Sequence, residues 1–232
     1  MKFLKSLAVS LPLFAAWPAM AEELSVQIVM DNGFGLQNPG QAETIRDALF
    51  HAVYNASANY KFKNAQIDIV TTATADQNDV PRTVWSGKLS DLSSQYEVVK
   101  SAVSHVPNGC TDLERAFDEV RRNIIRSPAK RIWILSVSSL IHLGRPCDSL
   151  EIKLPQPVPQ KINLGGFVAD NRVERIWFLA AEGDQRNVWL DALIGVGAPL
   201  RMNEGTLDFT TANLDESLNK LASAEFRKEI RK

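Results

Sequence analysis

Three short stretches of the chain are apolar almost without a break: Leu24–Met30 (LSVQIVM), Lys130–Val137 (KRIWILSV) and Arg175–Ala180 (RIWFLA). A strand with one wet face alternates apolar and polar residues, whereas a strand covered on both faces does not. These runs therefore read as buried strands of a largely parallel sheet. Parallel neighbours need crossover connections, and the intervening segments supply them. Ile45, Ala48, Leu49, Ala52 and Val53 fall on one helical face. So do Leu113, Ala116, Phe117, Val120 and Ile124, after a Pro107-Asn108-Gly109 break and a Thr111 or Asp112 cap. Weaker helices are expected over Ser93–Val106, over Asn187–Val196 (ended by Gly195 and Gly197), and around Leu214, Leu218 and Leu221. Ala65–Thr72 reads as a further strand, Arg82–Leu89 as a polar edge strand and Thr206–Thr210 as a last one. Ser138–Asp170, with Pro155, Pro157 and Pro159, is expected to be irregular, and a loop that long is usually functional or tied down. Strands alternating with helices predict the α/β class.

The first residues belong to none of this. Met1–Ala21 carries Lys2 and Lys5, then an apolar run broken by Pro12, then Ala19-Met20-Ala21, a small-x-small cleavage site. The run is too short to cross a bilayer of about 30 Å. It reads as a signal peptide of bacterial type, removed after Ala21, so 22–232 is the expected mature domain. The destination is the periplasm or beyond, and no later segment is long and apolar enough to act as a transmembrane anchor. The full chain has 26 Lys and Arg against 27 Asp and Glu, so no basic excess points to nucleic acid. Two cysteines are too few for a disulfide-framework mini-protein or a four-cysteine zinc module.

The element order places a directly joined pair of strands after the first helix, which makes them an antiparallel hairpin. With Asp31 closing the first strand and Gly109-Cys110-Thr111-Asp112-Leu113 opening a helix, the chain resembles a von Willebrand factor A domain over about Leu24 to Ile230. Asp31 stands where that family's D-x-S-x-S motif begins, and Gly109–Leu113 resembles its G-x-T-D-L stretch. The resemblance implies a single doubly wound, mostly parallel six-stranded sheet of order 3-2-1-4-5-6, with one antiparallel edge strand and flanking helices. It also implies a divalent-cation adhesion site at the carboxyl edge of that sheet. The chain departs from the motif. Gly33 and Gly35 occupy the two serine positions, and Ser136-Val137-Ser138-Ser139 follows the fourth strand with no carboxylate. Asp31 and Thr111 remain as weak metal candidates. One carboxylate and a hydroxyl make a poor cage for Mg²⁺ or Mn²⁺, so no cofactor is expected.

Asp31, Asn32, Gly33 and Gly35 fall at the switch point of such a sheet, where α/β proteins bind ligands; Thr111, Asp112 and Ser138 join them. The competing reading of Asp31–Gly35 is a polar turn loosened by glycine. A dinucleotide fingerprint is unsupported, because Asn38 stands where its last glycine belongs. His51 reads as a boundary residue, while His105 and His142 flank loops expected near Asp31 and could form a metal or acid–base cluster with it. No G-x-S-x-G elbow accompanies them. Trp133 and Trp177 read as core, and Trp85 as either an exposed contact or a residue packed under a helix.

The expected function is a non-enzymatic protein–protein binding module of the bacterial envelope, serving adhesion or assembly through the carboxyl edge of the sheet. The alternative is a periplasmic hydrolase or metal-dependent enzyme built on Asp31, His105 and His142. An exported chain meets an oxidising compartment, and two cysteines have one intramolecular pairing. The resemblance puts Cys110 and Cys147 in loops on the same sheet edge, so it predicts a disulfide with Cα atoms within about 7 Å.

Overall fold

The computed structural model describes residues 24–33, 39–57, 64–73, 81–106, 109–144, 147 and 153–222. The signal segment, Gly35 and the end of the chain beyond 222 lie outside them. One six-stranded sheet runs through the molecule in the order β3-β2-β1-β4-β5-β6. Its strands are β1 (Leu24–Met30), β2 (Gln66–Thr71), β3 (Thr83–Lys88), β4 (Arg131–Val137), β5 (Val173–Leu179) and β6 (Asp208–Thr211). β2 and β3 pair antiparallel, and every other pairing is parallel. This is the α/β architecture expected from the sequence and the strand order that the resemblance implies.

β1 is buried along its whole length, which is why its side chains do not alternate in polarity. One face lies under α1 (Pro39–Ser57) and α8 (Leu214–Ala222). There Ile45, Leu49 and Phe50 join Ile28, Ile67, Leu135 and Trp177 in one buried cluster. The other face lies under α4 (Leu113–Arg126), α5 (Leu164–Ala169) and α6 (Gln185–Gly195). Phe117, Phe178 and Trp189 are its aromatic centre. Phe178 and Trp189 meet edge-on with ring centroids 5.0 Å apart, a favoured aromatic geometry.

The structure departs from the sequence expectation in several places. The helix expected within Ser93–Val106 is present but shorter, α3 (Tyr96–Ala102), and a separate helical turn, α2 (Leu89–Leu92), precedes it across a turn in which Ser94 Oγ donates to the Asp91 carbonyl. Such local serine bonds compete with helix continuation. The long irregular segment contains α5, whose N-terminus is capped by Asn163 accepting from Gly166 N–H. A second missed helix, α7 (Ala198–Asn203), begins at Gly197 in the left-handed region. The glycine that stops α6 thus starts another turn of helix. Trp85 is not an exposed contact. It is 7% exposed, packs in the first cluster with Leu89 and Leu92, and donates Nε1–H to Gln95 Oε1.

Candidate functional site at the carboxyl edge of the sheet

Strand order 3-2-1-4-5-6 creates its crevice between β1 and β4, at their carboxyl ends. Asp31 follows β1 and Ser138 follows β4. The parallel ladder carries on one step past both strands, with Asp31 N–H donating to Val137 O and Ser138 N–H to Leu179 O. Backbone pairing therefore fixes where both side chains start.

The Asp31 carboxylate is 5% exposed and accepts four hydrogen bonds from the chain itself. Gly33 N–H (3.1 Å), Thr72 Oγ1 (2.9 Å) and Thr111 Oγ1 (3.0 Å) donate to Oδ1. Ser138 Oγ donates to Oδ2 (3.0 Å). Burial outweighs these bonds and raises the Asp31 pKa above its ordinary 3.8. The donors come from four segments, so one carboxylate ties together the ends of β1, β2 and β4 and the approach to α4.

Gly33 is set by space. A Cβ built there would lie 2.9 Å from Gly109 O and from Thr111 Oγ1. The position that carries a serine in the resembled motif is occupied here by the Gly109–Thr111 backbone and hydroxyl. Asn32 completes the closure. Its Oδ1 accepts from Ala73 N–H (2.9 Å), its Nδ2 donates to Ser104 O (3.3 Å), and its own carbonyl accepts from Val106 N–H (2.8 Å).

The other expected residues divide. Asp112 is the cap of α4, accepting from Arg115 N–H at 3.1 Å and pairing with the Arg115 guanidinium. His142 Nδ1 accepts from Leu113 N–H (3.2 Å), so it caps the same helix. His105 and His51 are exposed. Among the described residues no group of three or more His, Cys, Asp or Glu side chains is placed to hold a metal ion. Among the described residues the Asp31 surroundings offer one carboxylate, whose hydroxyl neighbours already donate to it, fewer oxygen ligands than a hard cation takes.

Cys110 and Cys147 form a disulfide with Cα atoms 5.6 Å apart, inside the expected distance. The bridge packs with Ile141 and Leu143 in a small buried cluster at this edge. A second tie holds the proline-bearing segment. Gln156 N–H donates to Gln185 Oε1 (2.7 Å), Gln185 Nε2 donates back to Gln156 O (2.8 Å), and Gln156 Oε1 accepts from His142 N–H (3.0 Å). Sequence reasoning missed this clasp and missed Thr72. The first carries no motif. The second was visible only as the last residue of an expected strand. The two non-glycine residues with left-handed backbone among the described residues, Leu140 and Ala180, follow β4 and β5 at this same edge. Such strain concentrates at ligand and partner sites.

No protein-family model matches the chain, and no curated protein matches it. Solved structures do. The chain is similar to the pilus adhesin SpaC from Lactobacillus rhamnosus GG in its open conformation, with a TM-score of 0.56 and 11% identity. That likeness covers 91% of this chain and 30% of the adhesin. It is a likeness of fold. Proximal thread matrix protein 1 from the mussel byssus gives a TM-score of 0.48 at 10% identity, covering 91% of this chain and 46% of that one. The chain therefore spans less than half the length of either neighbour. No helix among the described residues is long and apolar enough to cross a membrane.

Proposed function

We propose that residues 22–232 form an exported von Willebrand A-type domain that binds a protein partner in the bacterial envelope and is not an enzyme. Contact is made through the carboxyl edge of the sheet, in adhesion or in assembly of an envelope complex. The observation that carries this reading is the Asp31 carboxylate at the β1–β4 crevice, satisfied by Gly33, Thr72, Thr111 and Ser138. In this reading the chain's own hydroxyls and a disulfide hold the edge together where the family uses a cation. Partner binding then needs no metal. The fold shared with a pilus adhesin supports the adhesion side of the proposal. The balanced charge gives no general pull toward nucleic acid.

The test is site-specific photo-crosslinking in cells. A crosslinker at exposed His105, beside the Asn32 contact to Ser104, is compared with one at exposed Asn171 on the opposite edge. The proposal expects a discrete protein adduct from position 105 that survives chelation by EDTA and is absent from position 171. Adducts from 171 alone, or an adduct at 105 lost on chelation, would overturn it.

A further inference from the structure

The opposite edge of the sheet carries a second feature that the partner-binding proposal does not use. A cavity of about 600 Å³ opens at the amino ends of β4, β5 and β6, within the size range of small-molecule sites. Its polar walls are Arg131, Asn171, Glu174, Arg175 and Asp208, with Trp133 beside them. Each charged tip is already held in place. Arg131 Nε donates to both Glu174 carboxylate oxygens, at 2.9 and 2.8 Å. Arg175 is buried, with its guanidinium carbon 4.4 Å from the Trp133 ring centroid and 4.3 Å from that of Trp177. Its Nε forms an ion pair at 3.2 Å with Asp208 Oδ2, the oxygen that accepts from Trp177 Nε1–H (2.8 Å). Lys220 closes the array, 3.8 Å from Asp208 Oδ1 and 4.2 Å from the Trp177 ring centroid.

The signs of these walls decide what fits. Two guanidiniums and two carboxylates line the cavity, paired as Arg131 with Glu174 and Arg175 with Asp208, so a bound anion meets Glu174 and Asp208 and a bound cation meets Arg131 and Arg175. A neutral group that donates and accepts at every position pays neither repulsion. Hydroxyls on a ring do this: each donates a hydrogen bond to a carboxylate and accepts one from a guanidinium N–H, in bonds strengthened by the charged partner. The walls are also fixed in advance by their own ion pairs and by indole contacts, which keeps the ordering cost of binding low.

We infer that this cavity is a binding site for a neutral saccharide, a polyhydroxylated ring chain rather than a charged metabolite. The probe is chitotetraose, the uncharged N-acetylglucosamine tetramer. Its charged counterparts are the glucosamine tetramer (cationic) and tetragalacturonate (anionic). Binding to the mature chain is followed through the indole N–H resonance of Trp133. Chitotetraose is expected to shift that resonance and to bind at least about tenfold more tightly than either charged tetramer. Maltotetraose, tested alongside, separates recognition of the acetamido group from recognition of ring hydroxyls; binding by either neutral tetramer supports the site. Asn171→Trp, at an exposed wall position, should fill the cavity and weaken binding at least about tenfold with an unchanged melting temperature. Thr206 also lines the cavity and is exposed, so Thr206→Tyr is the second blocking variant should the first fail to fold. Three results would overturn the inference: no Trp133 shift with either neutral tetramer, a charged tetramer binding as tightly as the neutral ones, or unchanged affinity in a folded blocking variant.

Discussion

Ser138 Oγ donates a 3.0 Å hydrogen bond to Asp31 Oδ2, joining two residues 107 positions apart in sequence. The same hydroxyl accepts Leu140 N–H at 3.0 Å, so it fixes the turn after β4 and the carboxylate after β1 together. In a metal-centred edge a cation would hold these segments. Here protons do, and the arrangement has consequences for pH, for metal and for stability.

Asp31→Asn should flatten part of the pH dependence of folding. Burial holds the Asp31 pKa above 3.8 in the folded chain, whereas the unfolded chain has the ordinary value. The folded state therefore keeps its proton to higher pH. Stability from this group is present below the ordinary value and is lost as pH rises through the folded one. Asp170, lowered by its bonds to Arg172, slopes the other way, so the readout is the difference between variant and wild type. In urea unfolding, Asp31→Asn should gain on wild type as pH is raised above about 4 and then level off. A difference that shrinks with rising pH would contradict the sign.

Asp31→Ala is a separate case. It leaves three hydroxyls and an amide without their acceptor in a buried place. A loss of about 1–3 kcal/mol is expected, read from the urea midpoint at constant m-value.

Gly33→Ser restores the residue of the resembled motif and should still damage the protein. The new Cβ would sit 2.9 Å from Gly109 O, a backbone atom that cannot swing away. Overpacking of this kind costs about 1–3 kcal/mol. Thermal unfolding with and without Mg²⁺ decides the matter. A variant as stable as wild type, further stabilised by the ion, would show that the edge still has room for a metal site.

The α/β class was legible because buried strands announce themselves as unbroken apolar runs, and the antiparallel pair because Arg82–Leu89 follows Ala65–Thr72 with no helix between; the strand order came only as what the resemblance to the von Willebrand A family implies. The carboxylate at the switch point rested on that same strand order. What Asp31 does was not. Its donors come from four separate segments, and nothing local in Thr72 or Ser138 marks them as its partners. His142 shows the limit from the other side. Its position after β4 is plain from the chain, but the bond its imidazole accepts from Leu113 N–H depends on a segment 29 residues away and carries no local signal. Helices α5 and α7 were hidden by their length, six residues each, too short for a periodic apolar signal.

Calorimetric titration of the mature protein with Mg²⁺ and Mn²⁺ should give no binding in the micromolar range. The argument is the donor set at Asp31, where one carboxylate is already surrounded by donors. Tight binding abolished by Asp31→Ala would refute it.

Asp112 and His142 should behave as helix caps. Between them they satisfy Arg115 N–H and Leu113 N–H at the start of α4. Asp112→Ala is expected to cost about 1 kcal/mol, and His142→Ala a similar amount, since each leaves an amide at the first turn without its acceptor. Urea midpoints of the two variants measure this. A crosslinked partner lost in Asp112→Ala with no change in stability would instead make Asp112 a contact residue.

The disulfide should account for a large share of the stability of this edge. Cys110 and Cys147 are 37 positions apart, and closing a span of that size restricts the unfolded chain by about 3–4 kcal/mol in the chain-entropy account. The folded state adds to this. The bridge lies against Ile141 and Leu143 in its own buried cluster, and Leu143 N–H donates to Thr111 O (2.8 Å) beside the Asp31 network. Freeing the loop after β4 should therefore loosen the residues around Thr111 as well as the loop itself. The measurement uses the Cys110→Ser, Cys147→Ser double variant, which avoids a lone reactive thiol. Its urea midpoint should fall, and amide exchange should speed up at Leu143 before it does in β1 or β4. Wild type treated with a thiol reductant should reproduce both effects. If the double variant unfolds at the wild-type midpoint with Leu143 still protected, the edge is held by the Asp31 hydrogen bonds alone.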